Sequence, residues 1–247
     1  MTQVVIVAGG LGTRIAPVAK DRPKCMVEVD GRPFCQYQLE IFKKQGFTEI
    51  IFCLGHLADI VMDFFKDGSK FGLHIDYSIE KEPLGTAGAV KLAEGKISGD
   101  FMVYYGDNFT TMNFKDFLAF HEKTNGIASI SLRKKPDGAK GSSIITMDAG
   151  RINEFIEKPT SDICSRYQGM KTYVNNGIYA CKRRLLDHVP MNKACDFGLD
   201  LFPTLIERGE EIYGHVTDSY FREIGTPRKF DAFVKEFTLK KNDLIQA

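Results

Sequence analysis

No run of the chain stays apolar for anything near the roughly 20 residues that a helix needs to cross a bilayer, so membrane insertion is not expected. An excess of charge is missing too, because 33 basic side chains face 32 acidic ones, a formal net charge of +1. Without a broad basic surface a long polyanion has nowhere to settle, which argues against nucleic acid as a partner. The six cysteines, Cys25, Cys35, Cys53, Cys164, Cys181 and Cys195, lack both the C-x-x-C pairing of a zinc site and the density of a disulfide scaffold. Reduced thiols in a cytoplasmic protein are the expectation. The opening residues MTQVVIVAGG lack a basic leader and a cleavage site, and their apolar run is short for a secretion signal. They read as a buried strand. Repeats, low-complexity tracts and interdomain linkers are also lacking, which predicts one continuous domain over residues 1–247.

With 43% apolar and 26% charged side chains, that length suffices for one large core. Apolar, β-branched runs at Gln3 to Ala8, Glu49 to Leu54, Leu73 to Ile79 and Phe101 to Tyr105 read as strands. Amphipathic segments at Pro33 to Lys44, Leu57 to Phe65, from near Thr86, and at Phe114 to Thr124 read as helices. This βαβα order predicts an α/β fold with a mainly parallel sheet covered on both faces, since parallel strands need helical crossovers. After Gly126 the rhythm turns strand-rich, at Ile127 to Arg133, Ser142 to Met147, Arg151 to Ile156 and Thr172 to Cys181. Helices return at about Leu199 to Arg208 and Pro227 to Lys240, the last with proline at a favourable first-turn position.

Directly after the first strand, which ends at Ala8, comes Gly9-Gly10-Leu11-Gly12-Thr13-Arg14. Three glycines let backbone amides approach phosphate oxygens unobstructed, and Arg14 adds a fixed positive fork. The loop lacks the Gly-Lys-Ser/Thr ending of a P-loop and the G-x-G-x-x-G spacing of a dinucleotide site, so both of those functions are disfavoured. Ten residues on, Pro23-Lys24 sets a second cation after a proline-stiffened turn. Taken singly, Lys24 reads equally well as a solvated loop lysine.

Gly9 to Arg14 followed by Pro23-Lys24 resembles the signature of the sugar-1-phosphate nucleotidylyltransferases, with the mannose or heptose 1-phosphate guanylyltransferase branch nearest. The resemblance extends from Val4 to about Phe233. It implies a three-layer αβα, Rossmann-like (glycosyltransferase-A-like) fold, with a nucleotide-binding half over about 1–125 and a small acceptor-binding lobe within about 126–240. It also implies that Ala8, Gly9, Gly10, Gly12, Thr13 and Arg14 hold a nucleoside triphosphate while Lys24 contacts phosphate near the reacting phosphorus. The chain stops soon after the resemblance ends, so the repeat-built C-terminal domain of some relatives is expected to be absent.

Further motifs follow in the family's order. Glu80-Lys81-Glu82-Pro83-Leu84-Gly85-Thr86-Ala87-Gly88 resembles its base-recognition segment, which makes Glu80, Pro83, Gly85, Thr86 and Gly88 candidates beside the base. Many members that read thymine or uracil carry an amide near its start, whereas here two glutamates flank Lys81. A carboxylate only accepts hydrogen bonds, and guanine offers it two adjacent donors. GTP is therefore favoured, with cytidylyl or uridylyl transfer as the alternative.

Gly106-Asp107 ends an apolar strand at the carboxyl edge of the sheet, where ligands of open α/β folds collect. Asp107 is the leading candidate for a Mg²⁺ ligand, since that ion takes oxygen donors and usually one or two carboxylates. Phe221-Arg222-Glu223-Ile224-Gly225-Thr226-Pro227 resembles the family's strand-Asp-x-Gly-Thr-Pro element, with Glu223 in the aspartate's place. Its extra methylene leaves direct or water-mediated ligation open. Glu157-Lys158-Pro159 resembles the acceptor motif, in which the glutamate bonds sugar hydroxyls and the lysine grips the acceptor phosphate. Asn175 and Asn176 match the acceptor-side amides, and Gly141 with Ser142 is expected opposite them. Asp196 to Pro203 reads as a structural helix entry. The implied catalytic set is Arg14, Lys24, Asp107 and Lys158, with a nucleoside triphosphate and a sugar 1-phosphate as substrates and homo-oligomerisation left open.

Overall fold

A computed structural model describes residues 2–135 and 143–246. Nine strands make one sheet: β1 (Gln3–Val7), β4 (Glu49–Leu54), β5 (His74–Ile79), β6 (Phe101–Tyr105), β8 (Ala128–Lys134), β9 (Ile144–Asp148), β10 (Arg151–Ile156), β11 (Tyr173–Cys181) and β12 (Ile212–Val216). Two short pairs complete the strands, β2 (Glu28–Val29) with β3 (Arg32–Pro33), and β7 (Asn108–Thr110) with β13 (Phe221–Glu223). The order across the sheet is β5-β4-β1-β6-β11-β8-β12-β10-β9. Strands β5, β4, β1 and β6 are mutually parallel, β11 runs against both β6 and β8, and β10 runs against β12 and β9. Because β12 is parallel to β8, only β11 and β10 oppose the prevailing direction. The sheet is therefore mixed and mainly parallel, as the sequence predicts.

Alternation along the strands separates two cores. Val4 and Ile6 of β1, with Phe52, Met102, Tyr104 and Ile178, face one cluster, which also holds Phe34, Phe42, Phe114, Phe233 and Phe237. Those aromatics come from helices α2 (Phe34–Lys44), α5 (Phe114–Lys123) and α8 (Pro227–Gln246). On the other face Val5, Ile51, Cys53, Val103 and Tyr179 meet Val90, Phe197, Phe202 and Leu205, from α4 (Gly85–Leu92), a π-helical turn at Phe197–Leu201 and α7 (Phe202–Glu207). The period of two in the strands thus dictates a three-layer sandwich. Side-chain caps mark two helix starts: Asn113 accepts from the amides of Lys115 and Asp116 at α5, and Thr160 accepts from the Ile163 amide at α6 (Ser161–Arg166). Helix α1 (Ala16–Ala19) and α3 (Ala58–Phe65) complete the set. Among the described residues no helix is long and apolar enough to cross a membrane.

Several predicted boundaries shift. The helix expected from Leu199 begins as the π-helical turn at Phe197, and the last helix runs on to Gln246 past a kink at Lys240. Strand β12 and the helix at Ser161–Arg166 were not anticipated, since neither carries a periodic apolar run long enough to stand out. Asn175 and Asn176 lie inside β11, within the strand predicted at Thr172 to Cys181, at a register break between Asn175 and Tyr179.

Candidate functional site

Neighbours β4 and β6 flank β1, so the strand order reverses there and the carboxyl ends of β1 and β6 form a crevice. Gly106 is required at this point because a Cβ would lie 2.9 Å from that of Ala8. The glycine loop rises from β1, with Gly12 at φ +64°, and is pinned by Ile15, which is fully buried. That anchor leaves Thr13 and Arg14 exposed above it.

Two clefts open here. The first, about 400 Å³, is lined by Gly9, Gly10, Gly12, Thr13, Arg14, Lys24, Glu80, Pro83, Gly85 and Thr86, all of them predicted. Of the two glutamates considered, Glu80 faces this cleft and Glu82 is exposed elsewhere. The Glu80 carboxylate accepts from the Leu84 amide at 3.0 Å and fills the space where a Cβ on Gly9 would come within 2.5 Å of it. Burial raises its pKa against that hydrogen bond. Ala8 instead continues β1, donating its amide to the Cys53 carbonyl at 2.8 Å. Gly88 turns away from the cleft, because a Cβ there would meet the Lys193 carbonyl oxygen at 3.0 Å.

The second cleft, about 870 Å³, is lined by Asp107, Glu157, Lys158, Asn175, Asn176 and Glu223 among the predicted residues, and Arg14 lines both. Glu157 is largely enclosed; burial raises its pKa, opposed by Lys158 and by a hydrogen bond with Asn175. Lys158 sits at φ +51° immediately before Pro159, a backbone conformation that L side chains rarely adopt. Asn176 does not present its amide to the cleft as expected. Its Oδ1 accepts from Arg133 Nε at 2.7 Å and its Nδ2 donates to Ser131 at 3.0 Å. Gly141 and Ser142 lie outside the described residues.

Between the clefts the two predicted carboxylates converge. Glu223 pairs across the β7–β13 ribbon with Asn108, and the Ile224 amide donates to the Asp107 carbonyl at 2.9 Å. Seen from a Cβ built on Gly225, Asp107 Oδ2 is 3.5 Å away, Glu223 Oε1 3.7 Å and an Arg14 guanidinium nitrogen 3.9 Å. Each carboxylate holds an ammonium: Lys24 Nζ is 2.6 Å from Asp107 Oδ2, and Lys229 Nζ bonds Glu223 Oε1. Two hard oxygen donors that already attract cations fit a divalent ion. No group of three or more His, Cys, Asp or Glu side chains that could hold a metal occurs among the described residues.

Several lining residues escaped the sequence reading. Asp196, read as structural, lines the first cleft and accepts from both the amide and the hydroxyl of Thr86, at 3.1 and 3.0 Å. Arg133, Arg228 and Lys229 line the second. For the last two a signal existed, since cations in the first turn of a helix oppose its dipole.

The fold and the paired clefts define an α/β protein with a glycine loop at the mouth of one cleft, beside a two-carboxylate centre. The nucleotidyl transferase family model matches residues 3–238, and the chain belongs to that family. It is 30% identical over 237 residues to UTP–glucose-1-phosphate uridylyltransferase of Synechocystis sp., covering 90% of this chain and 60% of that one. To mannose-1-phosphate guanylyltransferase of Mycobacterium tuberculosis it is 30% identical over 231 residues, covering 92% of this chain and 62% of that one. The chain thus spans rather less than two thirds of these relatives. The crystal structure of HddC from Yersinia pseudotuberculosis complexed with GMP-PN superposes with a TM-score of 0.77 at 30% identity, covering 96% of this chain and all of that one.

Proposed function

We propose that the protein transfers a nucleotidyl group from a nucleoside triphosphate, GTP by preference, to a sugar 1-phosphate, mannose or heptose 1-phosphate by preference, releasing pyrophosphate. The observation that carries this reading is the pair of clefts sharing Arg14 and meeting at Lys24, Asp107 and Glu223. The nucleotide takes the smaller cleft and the sugar phosphate the larger. The two halves interleave, since Asp196 and Gly225 reach the first cleft while Arg14 and Tyr105 reach the second.

Two polyanions must approach each other, so positioning and charge neutralisation dominate the reaction. A Mg²⁺ ion on Asp107 and Glu223 would neutralise phosphate charge as the two substrates meet. Lys158 orients the acceptor phosphate, and Glu157 accepts hydrogen bonds from sugar hydroxyls. An acceptor phosphate oxygen bonds the α-phosphorus as the bond from that phosphorus to the bridging oxygen breaks, and pyrophosphate departs with both electrons of that bond toward Arg14 and Lys24. The acceptor is already largely ionised at neutral pH, so no general base is needed.

Glu80 supports guanine, because an acceptor-only carboxylate facing the cleft suits guanine's adjacent donors. The similar structure solved with GMP-PN points the same way. Uridylyl transfer is the second reading, supported by the uridylyltransferase relative at the same identity as the guanylyl one. Incubating the protein and Mg²⁺ with GTP, UTP, CTP or dTTP against mannose, heptose and glucose 1-phosphates, and following pyrophosphate, tests both. Turnover led by GTP is expected. Equal rates with all triphosphates overturn the guanine reading, and no pyrophosphate from any pair overturns the transferase reading.

A further inference from the structure

We infer that Lys229 is a ligand of the acceptor phosphate, held in reserve on Glu223 until a divalent cation takes that carboxylate. The inference rests on the nucleotidyl-transfer reading above. Lys229 stands in the first turn of α8, next to Arg228 and just after Pro227. The partial positive charge at a helix N-terminus disfavours a cation there, at a cost of about 0.3–1 kcal/mol in exposed sites. A local rule broken in this way, inside a cleft, marks a place where an anion is to be bound.

The arrangement mirrors the one across the site. Lys24 bonds Asp107 and lines the nucleotide cleft, whereas Lys229 bonds Glu223 and lines the acceptor cleft. The two carboxylates lie within 4 Å of one point beside Gly225, which places both at the position proposed for the ion. With two ammoniums and two carboxylates the group is neutral. A divalent cation leaves these four side chains and the ion with a surplus of two positive charges, about equal and opposite to the charge of one ionised phosphate monoester. Once the carboxylates turn to the metal, each ammonium loses its partner on the side where it already lies. Lys24 is then free for the triphosphate and Lys229 for the acceptor phosphate, in the cleft that Lys158 also lines.

The test compares Lys229→Ala and Lys229→Arg with the unaltered protein. Mn²⁺ binding to the substrate-free protein is read by electron paramagnetic resonance of the free ion, and the KM of each substrate is measured separately. Removing the competing ammonium should tighten Mn²⁺ binding in Lys229→Ala by several-fold. The same variant should raise the sugar 1-phosphate KM about tenfold or more and change the triphosphate KM less than about twofold, as expected for one lost charge-assisted contact. Lys229→Arg, which keeps the charge, should recover much of the acceptor KM. Unchanged or weaker Mn²⁺ binding in Lys229→Ala overturns the exchange, and an acceptor KM within twofold of the original overturns the phosphate contact. Should the unaltered protein transfer no nucleotide, the reading of its function fails by itself. Calorimetric titration with inorganic phosphate in the presence of Mn²⁺ then reads the same contact without turnover. Weaker phosphate binding by Lys229→Ala supports the contact, and equal binding overturns it.

Discussion

Asp107 offers the most direct single-residue test, because it is largely enclosed, it bonds Lys24, and it lies with Glu223 beside Gly225. Replacing it with asparagine keeps the shape and removes the charge. We expect Asp107→Asn to lower kcat by about 10²-fold or more, the scale of losing one preorganised electrostatic group. Pyrophosphate release gives the rate, and an unchanged melting curve separates this from unfolding. Glu80 offers a subtler test. Glu80→Gln exchanges one acceptor oxygen for a donor, so the preference for GTP over UTP, taken as the ratio of kcat/KM values, should fall about tenfold. A preference that does not move would remove Glu80 from base recognition.

Elements explain why some substitutions act at a distance. Gly85 opens α4 at φ +72°, and a Cβ there would meet the Cys195 carbonyl oxygen at 2.6 Å. That carbonyl also accepts the Ala87 and Gly88 amides, so the segment around Cys195 ties down the first turn of the helix. Gly85→Ala should cost about 1–3 kcal/mol from left-handed backbone strain and overpacking together. Urea unfolding measures this, and the variant should also bind the triphosphate more weakly. Gly95→Ala, where nothing lies within 4 Å of the added carbon, should leave stability nearly unchanged and serves as the comparison. Most elements were legible in the sequence because their cause is local: β4, β6 and β10 appear with their predicted limits, fixed by apolar runs ending at turn residues. Strand β12 was not, because its short sequence becomes a strand by pairing with β8.

For the whole molecule, acid stability follows from a histidine buried within the sandwich. His121 on α5 is 3% exposed, its Nδ1 is 2.9 Å from the Ser129 hydroxyl, and its Nε2 has no partner among the described residues. Burial, aided by Lys182, pushes its pKa down to about 4. The folded form therefore resists a proton that the unfolded chain accepts near pH 6.5. This contribution is fully present above about pH 6.5 and is lost as the pH falls toward 4. By linkage the loss between pH 7.5 and 5 is about 2 kcal/mol. Urea unfolding at those two values should show it, and His121→Gln should flatten that part of the pH dependence. A slope that the substitution leaves unchanged would assign acid lability to other groups, the carboxylates and the half-buried His215 among them.

The sequence by itself determined most of the order of helices and strands and the glycine-rich loop, and its resemblance to the family marked the motifs holding Arg14, Lys24, Glu80, Asp107, Glu157, Lys158 and Glu223. The elements and the loop depend on periodicity, glycine freedom and spacing, which neighbours along the chain settle. Tertiary structure decided which side chains face which cleft. It turned Glu80 inward and Glu82 out, turned Gly88 onto Lys193, spent the Asn176 amide on Arg133 and Ser131, and brought in Asp196. Above all it joined Asp107 to Glu223 through a ribbon of two three-residue strands, and it set an ammonium on each. Such meetings are fixed by the pairing of distant segments and the packing beneath them, and no local pattern specifies their partner.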